Sequence, residues 1–301
     1  MKIVKIQGGL GNQMLQYAFA YKLKHLYPSE KILIDLTDFK GYDWHGYELD
    51  YVFGVKIPVA NPFQILRFKL PVSSNSKYGK MILGRFGRFF QKDIYTEERK
   101  NYFAFTKEPL AITGSCYYDG TWFNEDYFKD IKDEIFDLFS FKRPLSTYME
   151  GIKREIANVN SVSLHVRRGN YLLFDAYKGI CDKEYYGKAI TYIKKHIENP
   201  HFFIFSNDIQ WCKDNLAGLM DSFTFVENND PQNNYVDMQL MSYCKHNIIA
   251  HSSFSWWGAW LNKNPQKTVV APYKWVNSTD VKSKPQLKEW ILIDQNQPEV
   301  E

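Results

Sequence analysis

Cysteine is scarce in this sequence. Its 301 residues hold four, Cys116, Cys181, Cys212 and Cys244, and no two stand at CxxC spacing. That argues against a zinc knuckle or a dithiol redox motif and leaves free thiols of a reducing compartment as the expectation. No run reaches the roughly 18 apolar residues of a membrane-spanning helix. The N-terminal MKIVKIQGGLG lacks the apolar stretch of a secretory leader, so the expected location is cytoplasmic, with the inner face of a membrane left open. There is no DxD tripeptide and no His, Asp and Glu cluster at ligand spacing, so neither a metal nor a cofactor is expected. GxSxG is missing, which counts against a serine hydrolase, and so is GK[ST], which counts against a nucleotide kinase. Internal repeats and low-complexity tracts are missing as well. Charge of one sign is in small excess only: a net +4 and a pI near 8.6 do not by themselves point to nucleic acid. They suit an anionic small ligand or an anionic membrane surface equally.

Aromatic residues, by contrast, are plentiful at 17%, within an ordinary globular balance of 45% hydrophobic and 24% charged residues. Core packing accounts for most of them. The length suits two domains, here placed at 1–155 and 156–301. KIVKI (2–6) reads as a first strand, followed by the glycine turn GGLGNQ (8–13). A helix comes next, with Met14, Leu15, Ala18, Phe19 and Leu23 on one face. KILIDL (31–36) is a second strand. Residues 37–110 show little periodicity. Within them a basic and aromatic stretch near 67–90 fits either peripheral contact with an anionic bilayer or a core-packed helix with a solvated basic face. LAIT (110–113) reads as a strand, GSCYYDGTWFN as a loop, and 125–139 and 145–157 as helices. The second half is more regular. Strands at 161–167, 201–206, 222–226, 247–250, 268–271 and 290–293 alternate with helical runs, the pattern of a parallel sheet covered on both faces.

In an open α/β sheet, ligands bind beyond the carboxyl ends of the strands. Three loops of the second half leave such ends. The first carries His165, then Arg167 and Arg168 side by side, then Asn170 and Tyr171. Guanidinium is a planar, permanently charged fork that matches phosphate oxygens, although paired arginines also occur as solvated surface. The second is Ser206-Asn207-Asp208, where the carboxylate is either a helix cap or an acceptor for a guanine edge or ribose hydroxyls. The third opens a helix through Ser252, Ser253 and Ser255, a ready anion site that is also explained in part by N-capping. Near the N-terminus, Asn12 at the glycine turn is either a helix cap or a residue reaching into a cleft.

With GGLGNQMLQYAFA (8–20), HVRRGNY (165–171), CDKEYYGKAI (181–190), FSND (205–208) and HSSFSWWGAWL (251–261) in this order, the chain resembles glycosyltransferase family 11, the α-1,2-fucosyltransferases, in their bacterial branch. The resemblance implies an α/β fold of GT-B type, two Rossmann-like domains facing a central cleft. The N-terminal one would lie on the acceptor side and the C-terminal one would bind the donor. It implies an inverting, metal-independent transfer of fucose from GDP-β-L-fucose to the 2-hydroxyl of a terminal galactose in a surface polysaccharide or oligosaccharide, and no nucleic-acid partner. Arg167 matches the arginine that holds the donor diphosphate, and Arg168 matches its partner. His165 and Asp208 match guanosine contacts, Ser252, Ser253 and Ser255 match phosphate contacts, and Asn12 matches the loop residue facing the donor. Acceptor contacts are expected around 35–51 and 117–122, with Asp43, Trp44 and His45 as candidates. One position departs: the usual pattern is HVRRGDY, and Asn170 keeps the size and one acceptor of that Asp without its charge. A donor-binding scaffold without turnover is the alternative that this change leaves open. His251 stands where Asn is common.

Overall fold

The computed structural model describes residues 1–40, 46–69, 93–228, 233–281, 283–294 and 296–297. It divides into two compact units, Met1–Ser140 and Phe141–Glu301. The sequence reading put the boundary at 155/156. The helix Thr147–Asn158 goes with the second unit because it buries Met149, Ile152 and Ile156 there, and Glu155 accepts from Thr224 and pairs with His201.

The first unit is built on a four-stranded parallel sheet: β1 (Lys2–Lys5), β2 (Ile32–Asp35), β3 (Asp93–Thr96) and β4 (Cys116–Asp119), in the order β2-β1-β4-β3. Ile3, Val4, Leu33 and Ile34 are buried, as the continuous apolar runs of a covered parallel sheet require. The helix Leu10–Leu26 follows β1. Its Phe19 stacks on Trp122 at 4.1 Å and meets Tyr118 and Tyr127 edge-on. Two expectations change here. LAIT is not a strand: Pro109 starts a short helix, Glu108–Ala111, and Gly114 turns the chain at φ +88°. The strand is CYYD, which had read as loop. Its Cys116, Tyr117 and Tyr118 are buried, and it pairs with β1 on one side and β3 on the other. The stretch 125–139 is two short 3-10 turns and a helix, Lys132–Leu138.

The second unit holds six parallel strands: β5 (Asn160–Val166), β6 (Pro200–Ser206), β7 (Phe223–Phe225), β8 (His246–Ile248), β9 (Val269–Pro272) and β10 (Ile291–Ile293). Their order is β10-β9-β8-β5-β6-β7. The chain winds outward from β5 to β7 and then returns to β8 on the other side of β5. The neighbouring pair β5 and β8 is therefore the switch point of a doubly wound sheet. The serines that alternate along β5 are buried and matched: Ser161 accepts from Lys245 N–H at 3.0 Å and Ser163 from the Asn247 amide at 2.7 Å. Trp256, Trp257 and Trp260 are buried in the helix Ser253–Trp260, as expected of packing residues.

Most of the basic stretch near 67–90, together with Asp43, Trp44 and His45, lies outside the described residues. Of its first three positions, Arg67 is exposed, Phe68 is buried, and Lys69 pairs with the buried Asp35 at 3.2 Å. Among the described residues no helix is long and apolar enough to cross a membrane.

Candidate active site

Parallel pairing sets the carboxyl ends of β8, β5 and β6 side by side, so the three loops picked from the sequence meet along one edge of the second unit. Arg168 is pinned there. Its Nε donates to Asp208 Oδ2 at 3.0 Å, its backbone N–H to Asn207 Oδ1 at 2.9 Å, and its guanidinium lies 4.2 Å above the Trp211 ring. Gly169 makes this approach workable: it sits at φ +62°, and a β-carbon would stand 2.7 Å from the Asn207 amide. Asp208 also caps the helix Ile209–Asn215, its Oδ1 accepting from Trp211 N–H at 3.2 Å. Both oxygens of Asp208 are thus engaged within the protein.

Arg167 is half-buried, its guanidinium 5.3 Å from the centre of the Tyr171 ring. His165, 6% exposed, faces Phe254 at 5.6 Å, and its Nδ1 has no hydrogen-bond partner among the described residues. Burial first, then the charge of Arg167 and the proximity of His251, push its pKa down to about 3. His251 is lowered to about 4, chiefly by burial, and its Nδ1 lies 3.1 Å from Cys181 Sγ. Both imidazoles are therefore neutral at physiological pH. At the third loop, the Ser252 hydroxyl accepts from Phe254 N–H at 3.3 Å and stands near the phenol of Tyr171. Ser255 is fully buried and donates to the Ala250 carbonyl at 3.0 Å, while Ser253 stands half-buried in the first helical turn. Asn170 belongs to the short 3-10 turn Gly169–Leu172. Two guanidiniums and a helix N-terminus thus stand together with neutral imidazoles, an arrangement whose electrostatics favour an anion.

Asn12 lies in the other unit. It lines a cavity of about 510 Å³ at the carboxyl ends of β1, β2 and β4, with Gln7, Gly8, Gln16, Asp38 and Thr121. Lys5 bridges Asp38 at 3.1 Å and Asp119 at 3.5 Å nearby. Gln13 does not face this cavity. Its amide ties the Gly8 and Gly46 carbonyls at 2.9 and 2.8 Å and accepts from Glu48 N–H at 2.9 Å. Glu48 is buried with Oε2 unpartnered among the described residues, and burial raises it to about 7.

Asp237 escaped the sequence reading. It sits in the first turn of the helix Tyr235–Tyr243, after β7, with the Asn228 amide 3.1 Å from its Oδ1. Burial, partly offset by that amide, raises it to about 7. The available signal was one acid in the otherwise uncharged run YVDMQLMSY. Among the described residues no group of three or more His, Cys, Asp and Glu could hold a metal ion.

The sequence profile of Glycosyl transferase family 11 matches residues 1–294. The chain belongs to that family. It is 32% identical over 97% of its length to an alpha-1,2-colitosyltransferase of Escherichia coli, covering 98% of that protein. It is 31% identical over 96% of its length to the O-antigen biosynthesis glycosyltransferase WbnK of the same species, covering 99%. Human galactoside alpha-(1,2)-fucosyltransferase 1 is 32% identical over a shorter match, 33% of this chain and 28% of that protein. Among solved structures, the fucosyltransferase NodZ from Bradyrhizobium matches with a TM-score of 0.50 at 12% identity, covering 85% of this chain and 90% of its own. That likeness concerns the fold, which is of GT-B type with two Rossmann-like units. The protein is a glycosyltransferase.

Proposed function

We propose that this family 11 enzyme moves L-fucose, or its 3-deoxy analogue colitose, from a GDP donor to the 2-hydroxyl of a terminal galactose, with inversion and without a metal. The observation that carries the reading is the pair Arg167 and Arg168 at the switch point beside the helix N-terminus at Ser252. The diphosphate lies against these groups. As the bond from sugar C1 to phosphate oxygen breaks, negative charge grows on the leaving GDP, and Arg167 takes it up from a fixed position. Arg168, anchored by Asp208 and Trp211, orients the second phosphate. The oxocarbenium-like sugar is captured from the opposite face by the galactose hydroxyl, whose proton passes to a base.

The guanine is read at the other end of the same edge. From β5 across β6 to β7 is two strand spacings, about 10 Å, which suits a nucleoside diphosphate laid along the edge. Asp208 is committed to Arg168 and its helix cap, so Asp237 is the carboxylate assigned to the guanine N1–H and exocyclic amine.

Colitose stays beside fucose as donor sugar because the relative that bears its name matches 97% of this chain. The sugars differ by one hydroxyl. A site built to bond that hydroxyl rejects the deoxy sugar by ~10⁴-fold or more, whereas an apolar contact discriminates far less. GDP release is measured in EDTA from GDP-fucose and GDP-colitose, with lactose and with type-1 and type-3 galactosides as acceptors. EDTA-resistant turnover giving an α1-2 product is the expected result. Tight GDP binding without turnover on any terminal galactoside would reject the reading in favour of a donor-binding scaffold.

A further inference from the structure

Tyr171 touches three side chains at the switch point. Its ring lies beneath the Arg167 guanidinium at 5.3 Å. It stacks on Tyr177 at 4.8 Å and 23°, and meets the His251 ring at 5.1 Å. Its phenol stands near Ser252, the cap of the helix Ser253–Trp260. Tyr177 is held in turn. The Asn277 backbone N–H donates to the Ala176 carbonyl at 2.8 Å, and its side-chain amide donates to the Asp175 and Lys178 carbonyls at 3.0 and 2.9 Å. A line of support therefore runs from the segment after β9, through Tyr177 and Tyr171, to Arg167, with the loop after β8 packed against it through the His251 ring.

We infer that Tyr171 is a positioning residue that fixes the Arg167 guanidinium where the leaving diphosphate gathers charge. The inference rests on the role proposed for Arg167. A guanidinium on a flexible stem loses rotamer freedom when it meets a phosphate. An aromatic face that already holds it lowers that loss and adds a cation–π attraction of order 1 kcal/mol. This clamp is uncharged: phenol rings and an imidazole that stays neutral down to about pH 4. Arg168 is held both by the Trp211 ring and by the Asp208 carboxylate.

A double-mutant cycle on the full chain tests this, with Arg167→Ala, Tyr171→Leu and both together, and with Tyr171→Phe and Tyr177→Leu beside them. Misplacing a catalytic group by about 1 Å costs on the order of hundredfold. Tyr171→Leu is expected to lower kcat about 30-fold while donor KM moves less than threefold. GDP carries the charge that the sugar bond masks, so its Kd rises about tenfold. Tyr171→Phe keeps the ring and stays within about threefold of wild type, and Tyr177→Leu loses about tenfold in kcat. In the Arg167→Ala background the Tyr171 and Tyr177 changes have no further effect beyond twofold, since there is no guanidinium left to hold. Losses that multiply across the two backgrounds overturn the inference. So does a folded Tyr171→Phe as poor as Tyr171→Leu, which would move the role to the phenol. If Tyr171→Leu does not fold, Tyr177→Leu decides through the same cycle. Turnover by wild type is a separate question. If wild type proves inactive, the donor reading fails, and the cycle is still read through GDP binding by calorimetry.

Discussion

The same topological rule operates in both units and yields two opposite chemistries. At the end of β1, the first unit gathers amides, two hydroxyls and a balanced set of charges, Lys5 and Lys40 against Asp38 and Asp119, around a cavity of about 510 Å³. At the end of β5, the second unit gathers two arginines and a helix N-terminus beside imidazoles held neutral by burial. A balanced polar cavity suits an uncharged polyol, and a net positive edge suits a diphosphate. The carboxylates differ too. Asp208 in the second unit has its charge matched by Arg168, whereas Glu48 in the first is buried with one oxygen unpartnered among the described residues.

The largest effect should come from the positive edge. Arg167→Ala is expected to lower kcat by ~10²–10³-fold, the range for removing one preorganised contact to developing charge. Acceptor KM should stay within about threefold, because no residue of the first unit is altered. A loss confined to acceptor KM, read from initial rates against acceptor concentration, would remove the contrast between the two edges.

Next is Glu48, whose effect is on stability. Its pKa is raised in the folded protein to about 7, so between the ordinary value of 4.5 and 7 the folded state binds more protons than the unfolded one. Stability then falls as pH rises through that window. Glu48→Gln mimics the protonated acid. It should leave stability unchanged near pH 4 and gain about 3 kcal/mol over wild type at pH 8, measured by urea unfolding. Equal midpoints at both pH values would mean that Glu48 is solvated or paired.

What could be read from the sequence follows periodicity. The second sheet was legible because its strands are unbroken apolar runs between amphipathic helices, and the three loops at its carboxyl edge follow from that order. β4 was missed because Cys116-Tyr117-Tyr118-Asp119 sits between glycines at 114 and 120, which read as a loop. β3 was missed because Asp93-Ile94-Tyr95-Thr96 is a short edge strand with Ile94 about half exposed. At the site, residue types were legible but their existing partners were not. Sequence offered Asp208 as cap or ligand. The structure shows the cap together with an ion pair whose partner lies 40 residues away. It likewise turned the serines of 252–255 into three different situations, one hydroxyl capping the helix at Phe254 N–H, one buried against Ala250 and one in the first turn. Asp237 stayed hidden because its one local mark, an acid in an uncharged run, shows neither its desolvation nor its contact with Asn228.

Asp237 gives the smallest of these effects and the sharpest division of labour along the second edge. A carboxylate that accepts two guanine N–H bonds must be ionised, and burial holds Asp237 near 7 before ligand arrives. GDP binding should then draw a proton off, so affinity plateaus above pH 8, falls as pH drops through 7 and levels off near that of a neutral side chain at this position. The nucleotide's own phosphate titrates in the same range, so the quantity to follow is the difference between wild type and Asp237→Asn. At pH 8 the variant should bind GDP about tenfold more weakly, about 1.4 kcal/mol. By pH 6 the gap should narrow to about threefold or less, since the wild-type carboxyl is then mostly protonated. Asp208→Asn should leave the preference for GDP over ADP unchanged, because its carboxylate already serves Arg168 and the helix cap. A pH-independent gap at Asp237, or a loss of base preference at Asp208, would put guanine recognition back at the end of β6.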